Sequence, residues 1–232
     1  YVHEDVYDEF VDKVVEKTRR LRQGVPRDHE VDVGSMTFPD QSDKVVDHIE
    51  DAVDKGGRIT IGGERRDDLE GDFFAPTVVA DCDHSMMIMR DETFGPVLPI
   101  MKVSSAFEAV ELANDSEYGL NSSVWSGDKK RAHEIARQIE AGQVCINDVI
   151  ASYLAIEAPY GGVKHSGIGR RKSKEEIRKF VQPKTVLEDI FGLDREPIWY
   201  PYSEAVDKTI DKAFGVLFRK GISKKIRDLL SE

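Results

Sequence analysis

The stretch Asp91-Glu92-Thr93-Phe94-Gly95-Pro96-Val97 stands between two apolar runs, at residues 86–89 and 97–101. Both runs have the composition of strands, and the Gly-Pro pair marks a turn between them. A carboxylate and an aromatic ring two residues apart can present hydrogen-bond acceptors and a flat apolar surface to one ligand from such a loop. The alternative is a tight turn whose Glu92 is only solvated, as most charged side chains are.

Outward from this stretch, the chain alternates between helical and strand periodicity. Helices are predicted over 4–23, 42–55, 105–114, 128–141 and 173–180. Strands are predicted at 58–61, 73–79, 120–125 and 143–147, beside the two apolar runs. In the first helix, Val6, Phe10, Val14 and Leu21 share one face. Strands separated by helices imply a largely parallel sheet covered on both faces, so the sequence predicts an α/β fold with a parallel twisted sheet and flanking helices.

The C-terminal part of the chain has a different character. Residues 148–172 form a long Gly-rich connection, and connections of that length are usually functional or disordered. Beyond Pro183, residues 184–190 predict one last strand, 197–202 an aromatic linker, and 203–218 an amphipathic helix. These features predict a main domain at 1–182, a strand segment at 183–192 and an extension at 193–232.

Composition excludes several classes of protein. Among 232 residues, 33 Lys and Arg stand against 44 Asp and Glu, for a net charge of −11, which argues against a general nucleic-acid-binding surface. No run approaches the roughly 18 apolar residues of a membrane span, and no signal peptide is visible. Two cysteines cannot build a disulfide framework. A cytoplasmic protein is therefore expected, and Tyr1 in place of an initiator Met suggests a trimmed or interrupted gene product.

Four motifs in register are far more specific than any one of them alone. They are Glu92-Thr93-Phe94-Gly95-Pro96-Val97, Ala113-Asn114-Asp115 with Tyr118-Gly119-Leu120, Gly142-Gln143-Val144-Cys145-Ile146-Asn147, and Tyr160-Gly161-Gly162-Val163-Lys164-His165-Ser166-Gly167-Ile168-Gly169. In order and rough spacing they resemble the C-terminal half of the aldehyde dehydrogenase superfamily, over about residues 1 to 190. The resemblance implies the part of the catalytic domain that follows the nucleophilic cysteine.

The resemblance also implies roles for particular residues. Glu92 would accept hydrogen bonds from the ribose hydroxyls of the nicotinamide cofactor, NAD or NADP, and Phe94 would flank the nicotinamide ring. Asn147, at a predicted strand end, would lie near the mouth of the substrate site. The implied substrate is an aldehyde, oxidised to a carboxylic acid. Residues 32–37, together with Asn147 and Asp148, resemble slightly the semialdehyde-oxidising branches, without fixing a substrate.

Neither cysteine suits the nucleophile that this chemistry needs. Cys82 lies between Asp81 and Asp83, which disfavour a thiolate, and Cys145 has the apolar neighbours of a buried structural cysteine. The resemblance implies that the catalytic Cys lies a few residues upstream of Tyr1, and the general-base Glu and the nucleotide-binding sheet further upstream. The chain itself is therefore expected to contain no catalytic residue and to be inactive alone.

Other candidate sites are weaker. Residues 167–172 open like a dinucleotide fingerprint, but Lys172 takes the place of the third glycine and no βαβ unit begins there. Lys164 and His165 suit anion binding, with a simple surface role as the alternative for His165. The six histidines lack metal-ligand spacing, so we predict no metal.

Partners follow from the resemblance as well. In this family the final strand adds to the sheet of a partner subunit, so 184–190 implies a homo-oligomer, and the absent part implies a complementary N-terminal half. The alternative is a non-catalytic remnant or assembly module that binds sister subunits. The basic tail, with Arg219, Lys220, Lys224, Lys225 and Arg227, could touch an anionic membrane surface, although a helix packed on its own domain is the favoured interpretation.

Overall fold

A computed structural model describes residues 1–25, 30–38, 40–190, 192, 200 and 203–218 of the chain. The chain divides into two compact units, Tyr1–Gln182 and Pro183–Glu232.

The first unit holds most of the regular structure. Its helices are α1 (Tyr7–Arg19), α2 (Gln41–Asp54), α3 (Met87–Arg90), α4 (Ala106–Asn114), α5 (Lys129–Ala136), α6 (Ala151–Leu154) and α7 (Ser173–Ile177), with short 3-10 helices at Glu4–Val6 and Arg178–Phe180. Its strands are β1 (Val2–His3), β2 (Arg58–Ile61), β3 (Thr77–Ala80), β4 (Val97–Pro99), β5 (Lys102–Val103), β6 (Tyr118–Gly119), β7 (Asn121–Val124), β8 (Gln143–Ile146) and β9 (Val163–Lys164).

Strand β3 lies at the centre of the core, and all of its residues are buried. Because successive side chains of a strand point to opposite faces, Val78 and Ala80 pack against Tyr7 and Val11 of α1. Val79 faces the other way, into a cluster with Ala52 of α2 and with residues of α3. Helices therefore cover both faces of β3, as in a layered α/β domain.

Among the described residues, three of the five strand pairs are parallel. β3 pairs parallel with β4 and antiparallel with β2 in one sheet of three strands. β1 pairs parallel with β5, and β7 with β8, while β6 and β9 are antiparallel. The predicted α/β class, with parallel strands and flanking helices, is confirmed, and the parallel pairs are distributed over several short sheets.

The structure overturns the strand predicted at 86–89 and shows which face of α1 is buried. Residues 86–89 are not a strand, because Met87–Arg90 form α3, whose first backbone N–H donates to the Asp51 carboxylate at 2.7 Å. In α1 the buried residues are Tyr7 and Val11, whereas Val6 and Phe10 are exposed. Both series have helical spacing, and the Tyr7 hydroxyl gains a partner inside, donating to Asp81 at 3.1 Å.

The long connection at 148–172 carries α6 and β9. Its backbone passes very close to the start of β8. A Cβ built on Gly142 would lie 1.7 Å from the carbonyl oxygen of Gly161, so only glycine fits there.

In the second unit, α8 spans Glu204–Phe218 and confirms the predicted helix. Residues 184–190 form neither helix nor strand within the described part of the chain, so the predicted strand is not formed in the single chain. A strand needs a hydrogen-bonded neighbour, and no strand among the described residues pairs with this segment. The basic residues of the tail and most of the aromatic linker lie outside the described residues. Across the ranges that are described, no helix is long and apolar enough to cross a membrane.

Candidate functional site

The loop at residues 91–96 connects α3 to β4 and is held from both sides. On the sheet side, the backbone N–H of Thr77 in β3 donates to the carbonyl of Pro96 at 2.8 Å. On the helix side, three side chains of α2 contact the loop. The Lys44 ammonium donates to the carbonyl of Glu92, and the Gln41 amide donates to the carbonyl of Thr93.

The third contact from α2 is a side-chain pair. His48 Nδ1 and the Thr93 hydroxyl are joined by a hydrogen bond of 3.0 Å. His48 is only 4% exposed, and burial lowers the pKa of its imidazole below the ordinary 6.5. The imidazole is therefore neutral at pH 7.

Gly95 brings the loop backbone directly onto α2. A Cβ at this position would lie 2.5 Å from Cγ2 of Val45, which is closer than real Cβ contacts come. The preceding residue, Phe94, has a φ of 50°, in the left-handed region that side chains rarely adopt. The sequence predicted a tight turn here, and the structure shows a turn under steric constraint.

The two side chains singled out from the sequence both face outward from this loop. Glu92 is exposed, and no hydrogen bond or ion pair engages its carboxylate among the described residues. The Phe94 ring is 65% exposed. The loop is thus fixed by its backbone, by Thr93 and by Gly95, while Glu92 and Phe94 stay available to a ligand.

A cleft of about 540 Å³ opens beside Phe94. Its walls are residues 32–38, Gln41 and residues 94–96. At one end, Asp32 is clamped by the Arg22 guanidinium through bonds of 3.0 Å, which lowers the pKa of Asp32 to about 2. The exposed Glu92 carboxylate can accept hydrogen bonds and lies two residues from the apolar Phe94 ring that borders the cleft, an arrangement that suits a small-molecule ligand with hydroxyl groups.

Asn147 lies directly after β8, as predicted, but its side chain is already engaged. Its amide oxygen accepts from the backbone N–H of Ser126 at 2.9 Å, and its amide nitrogen donates to the carbonyl of Ser126 at 3.0 Å. Its own φ is 54°. Asn147 therefore ties the turn that follows β8 to the segment that follows β7, and neither of these side-chain bonds connects it with the loop at 91–96.

The remaining candidates have structural partners. Lys164 pairs with Glu140 at 3.0 Å and donates to the carbonyl of Asn114 at 2.6 Å, so its charge is used inside the domain. His165 is exposed and lies 3.5 Å from Glu117. Within the described residues, no group of three possible metal ligands occurs.

Both cysteines are free and buried. The Cys82 thiol donates to the carbonyl of Val79 at 3.3 Å, and burial, reinforced by Asp81 and Asp83, raises its pKa to about 11. Cys145 lies in β8 and is 6% exposed. These environments are typical of structural cysteines.

Sequence reasoning missed the contribution of α2. Gln41, Lys44 and His48 follow one another at helical spacing, beside the apolar face formed by Val45 and Ile49. That spacing could have shown that these three polar residues share a face. The loop that they hold lies far along the chain, and nothing local to either segment indicates the pairing.

A layered α/β unit that presents an exposed carboxylate and ring beside a cleft has the features of a small-molecule binding domain. A family model described as the aldehyde dehydrogenase family matches residues 1–186. The chain belongs to this family.

Curated relatives and solved structures agree with this family assignment. The chain is 42% identical over 187 residues to a putative succinate-semialdehyde dehydrogenase [NADP(+)] of Mycolicibacterium smegmatis, covering 80% of this chain and 36% of the relative. It is 40% identical over 203 residues to the 4,4'-diapolycopene aldehyde oxidase of a Methylomonas species, covering 88% and 37%. A Mycobacterium tuberculosis aldehyde dehydrogenase solved with NAD+ superposes with a TM-score of 0.77 at 36% identity, covering 84% of this chain and 40% of that one. The chain thus spans little more than a third of the curated relatives it matches.

Proposed function

We propose that this chain is the C-terminal part of an NAD(P)-dependent aldehyde dehydrogenase that oxidises an aldehyde to a carboxylic acid. The observation that carries the proposal is the loop at 91–96, whose backbone is fixed to α2 while Glu92 and Phe94 are exposed and Phe94 borders the cleft. In this arrangement Glu92 binds the ribose hydroxyls of the cofactor and Phe94 limits where the nicotinamide ring lies.

In this proposal, residues of the chain bind and orient the cofactor. The Glu92 carboxylate accepts hydrogen bonds from hydroxyl donors, and bonds to a charged acceptor are stronger than neutral ones. The Phe94 ring offers an apolar wall that excludes water from one side of the site. Bound beside these residues, the cofactor would supply the hydride acceptor for the oxidation of the substrate carbon.

The nucleophile belongs to the part of the enzyme that precedes Tyr1. Cys82, whose thiolate is disfavoured, and Cys145, buried in β8, do not supply it. The general base and the nucleotide-binding sheet precede this segment as well, so the chain alone is inactive. Asn147 shapes the turn at the substrate mouth through its bonds to Ser126 rather than by offering a free amide.

The relatives guide the choice of a test substrate. Several are named succinate-semialdehyde dehydrogenases with NADP(+) as cofactor, and structural neighbours were solved with NAD+. Both cofactors are therefore compared, with succinate semialdehyde as the first aldehyde. Free, buried cysteines agree with a reducing cytoplasmic compartment.

The test is an assembled enzyme, in which this chain follows the segment of the M. smegmatis relative that precedes the matched region. We expect it to form reduced cofactor from succinate semialdehyde, while the donor segment alone and this chain alone do not. The matched control is the same assembly with Glu92→Gln, which keeps the shape and removes the charge. A folded assembly that neither binds NAD or NADP nor oxidises any aldehyde would overturn the proposal.

A second candidate function, assembly without catalysis, is favoured by one observation. Val186, Leu187 and Ile190 are 78%, 90% and 80% exposed in the extended segment at 184–190. Exposed apolar side chains on an unpaired segment suit the edge of a partner's sheet. Under this alternative, we expect sedimentation to show that the chain self-associates and that Leu187→Glu abolishes the association, while no assembled form binds cofactor.

A further inference from the structure

His48 is a buried polar residue with no place in the reaction just proposed. It lies on α2 next to Val45, Ile49 and Ala52, which face the core. A leucine would fill such a position without a desolvation cost, whereas a buried imidazole costs free energy unless it is hydrogen-bonded. The bond that His48 makes is to the Thr93 hydroxyl at 3.0 Å.

Thr93 lies between the two residues assigned to the cofactor. Its side chain points in toward His48, while Glu92 before it and Phe94 after it are exposed. Fixing the inward direction of Thr93 therefore fixes the outward direction of both neighbours. The Lys44 and Gln41 side chains hold only backbone carbonyls, whereas the bond to His48 depends on the hydroxyl of the Thr93 side chain.

The backbone at Phe94 is strained, and the contact between His48 and Thr93 helps to hold it in that conformation. A φ of 50° costs a residue with a side chain on the order of 1 kcal/mol. Such a conformation persists only when the surroundings hold it. A loop released at Thr93 would relax toward ordinary dihedral angles and turn the Phe94 ring away from its present direction.

We infer that His48 is a positioning residue, which orients Glu92 and Phe94 for the cofactor through its hydrogen bond to Thr93. The inference rests on the proposed function for the identity of the ligand. The groups that face His48 from α2 are Lys44, Asp47 and Asp51, and Asp91 faces it from the loop.

Two matched pairs of variants test the inference. Thr93→Val removes the hydroxyl and keeps the branched shape, and Thr93→Ser keeps the hydroxyl. His48→Leu removes the hydrogen bond, and His48→Asn places an amide near the position of Nδ1. Amide hydrogen exchange is measured over residues 92–95 in the chain itself, and cofactor KM and kcat are measured in the assembled enzyme.

We expect Thr93→Val and His48→Leu to speed exchange over 92–95 and to leave α1 unchanged. In the assembled enzyme the cofactor KM should rise about threefold to tenfold, the range of one net hydrogen bond. The kcat should change less than twofold, because uniform binding is what is lost. Thr93→Ser and His48→Asn should resemble the wild type. The double variant His48→Leu/Thr93→Val should be no worse than either single one, because both remove the same bond.

Three results would overturn the inference. They are wild-type exchange over 92–95 in Thr93→Val, a loosened loop with an unchanged cofactor KM, and equal damage by Thr93→Ser and Thr93→Val. In all three, the wild-type assembled enzyme still oxidises its aldehyde. A wild-type assembly that forms no reduced cofactor is a different failure, which removes the proposed function together with the cofactor role of His48.

Discussion

The loop at 91–96 and the turn at Asn147 share a strained backbone conformation but differ in the contacts that hold it. Each follows an element that packs in the domain, and each contains a residue with a positive φ, 50° at Phe94 and 54° at Asn147. At Asn147 the side chain itself holds the turn by bonding the backbone of Ser126. In the loop at 91–96, side chains of α2 bond the backbone and Thr93. The side chains of Glu92 and Phe94 remain exposed.

The difference teaches how to judge a polar residue that stands in a conspicuous motif. An amide with both of its polar atoms bonded to backbone has a structural use that accounts for it. A carboxylate that the fold neither pairs nor buries has no such account, and a ligand can engage it without cost to the fold. Four substitutions can break or sharpen this contrast.

The largest effect is expected at Gly95. Gly95→Val places a branched side chain where even a Cβ would lie 2.5 Å from Val45. Overpacking of this kind costs about 3 kcal/mol of unfolding free energy, which denaturant titration measures. Gly127→Val is the control, since nothing lies within 4 Å of a Cβ there. Equal stability of the two variants would show that the loop does not need to pack on α2.

The next effect is expected at Asn147. Asn147→Ala removes both bonds to Ser126 and leaves alanine at a φ of 54°. We expect a loss of about 2 kcal/mol of unfolding free energy, with the cofactor KM of the assembled enzyme unchanged. A stable variant with an altered KM would reverse the contrast, because Asn147 would then behave as a binding residue.

A smaller effect, on cofactor binding rather than on stability, is expected at Glu92. Glu92→Gln in the assembled enzyme should raise the cofactor KM about tenfold, as the loss of one hydrogen bond to a charged acceptor does. Stability should be unchanged, since no described residue bonds the carboxylate. Steady-state kinetics and thermal unfolding of the same preparation check both halves. A destabilised Glu92→Gln with a normal KM would place Glu92 in the same class as Asn147.

The smallest effect concerns pH. The folded-state pKa of His48 is lowered below its ordinary 6.5 by burial, so below that pH the unfolded chain binds a proton more readily than the folded one. The contribution of neutral His48 is complete above about pH 6.5 and is lost as the pH falls through the folded pKa. The stability difference between wild type and His48→Gln should therefore shrink on the acid side. A difference that is constant with pH would mean that folding leaves the pKa of His48 unchanged.

Much of the fold could be predicted from local pattern. α2 and α4 begin and end close to their predicted bounds because apolar spacing and end signals agree, with Ser105 capping α4 through a bond of 3.1 Å from the N–H of Glu108. The run at 86–89 misled because methionine and isoleucine suit a helix and a strand alike. A distant contact, Asp51 to the N–H of Met87, stands at the start of the helix there.

The candidate site was predictable only in part. Glu92 and Phe94 are visible because a charged residue and an aromatic one lie just before a Gly-Pro turn. The exposure of both, and the engagement of Asn147, depend on partners distant in sequence, such as Lys44 for the loop and Ser126 for the turn. Periodicity reports which face a residue occupies, and it carries no information about which other segment meets that face.

The pairing of β1 with β5 has a consequence for the order of folding. It joins Val2 to Lys102 and His3 to Val103, so a long loop must close to gain two residue pairs. β2 and β3, which are neighbours in the chain, close a far shorter one. β1 should therefore pair with β5 late in folding, after β3 has packed against α1 and α2. In kinetic terms, Val103→Ala would speed unfolding and leave the refolding rate nearly unchanged.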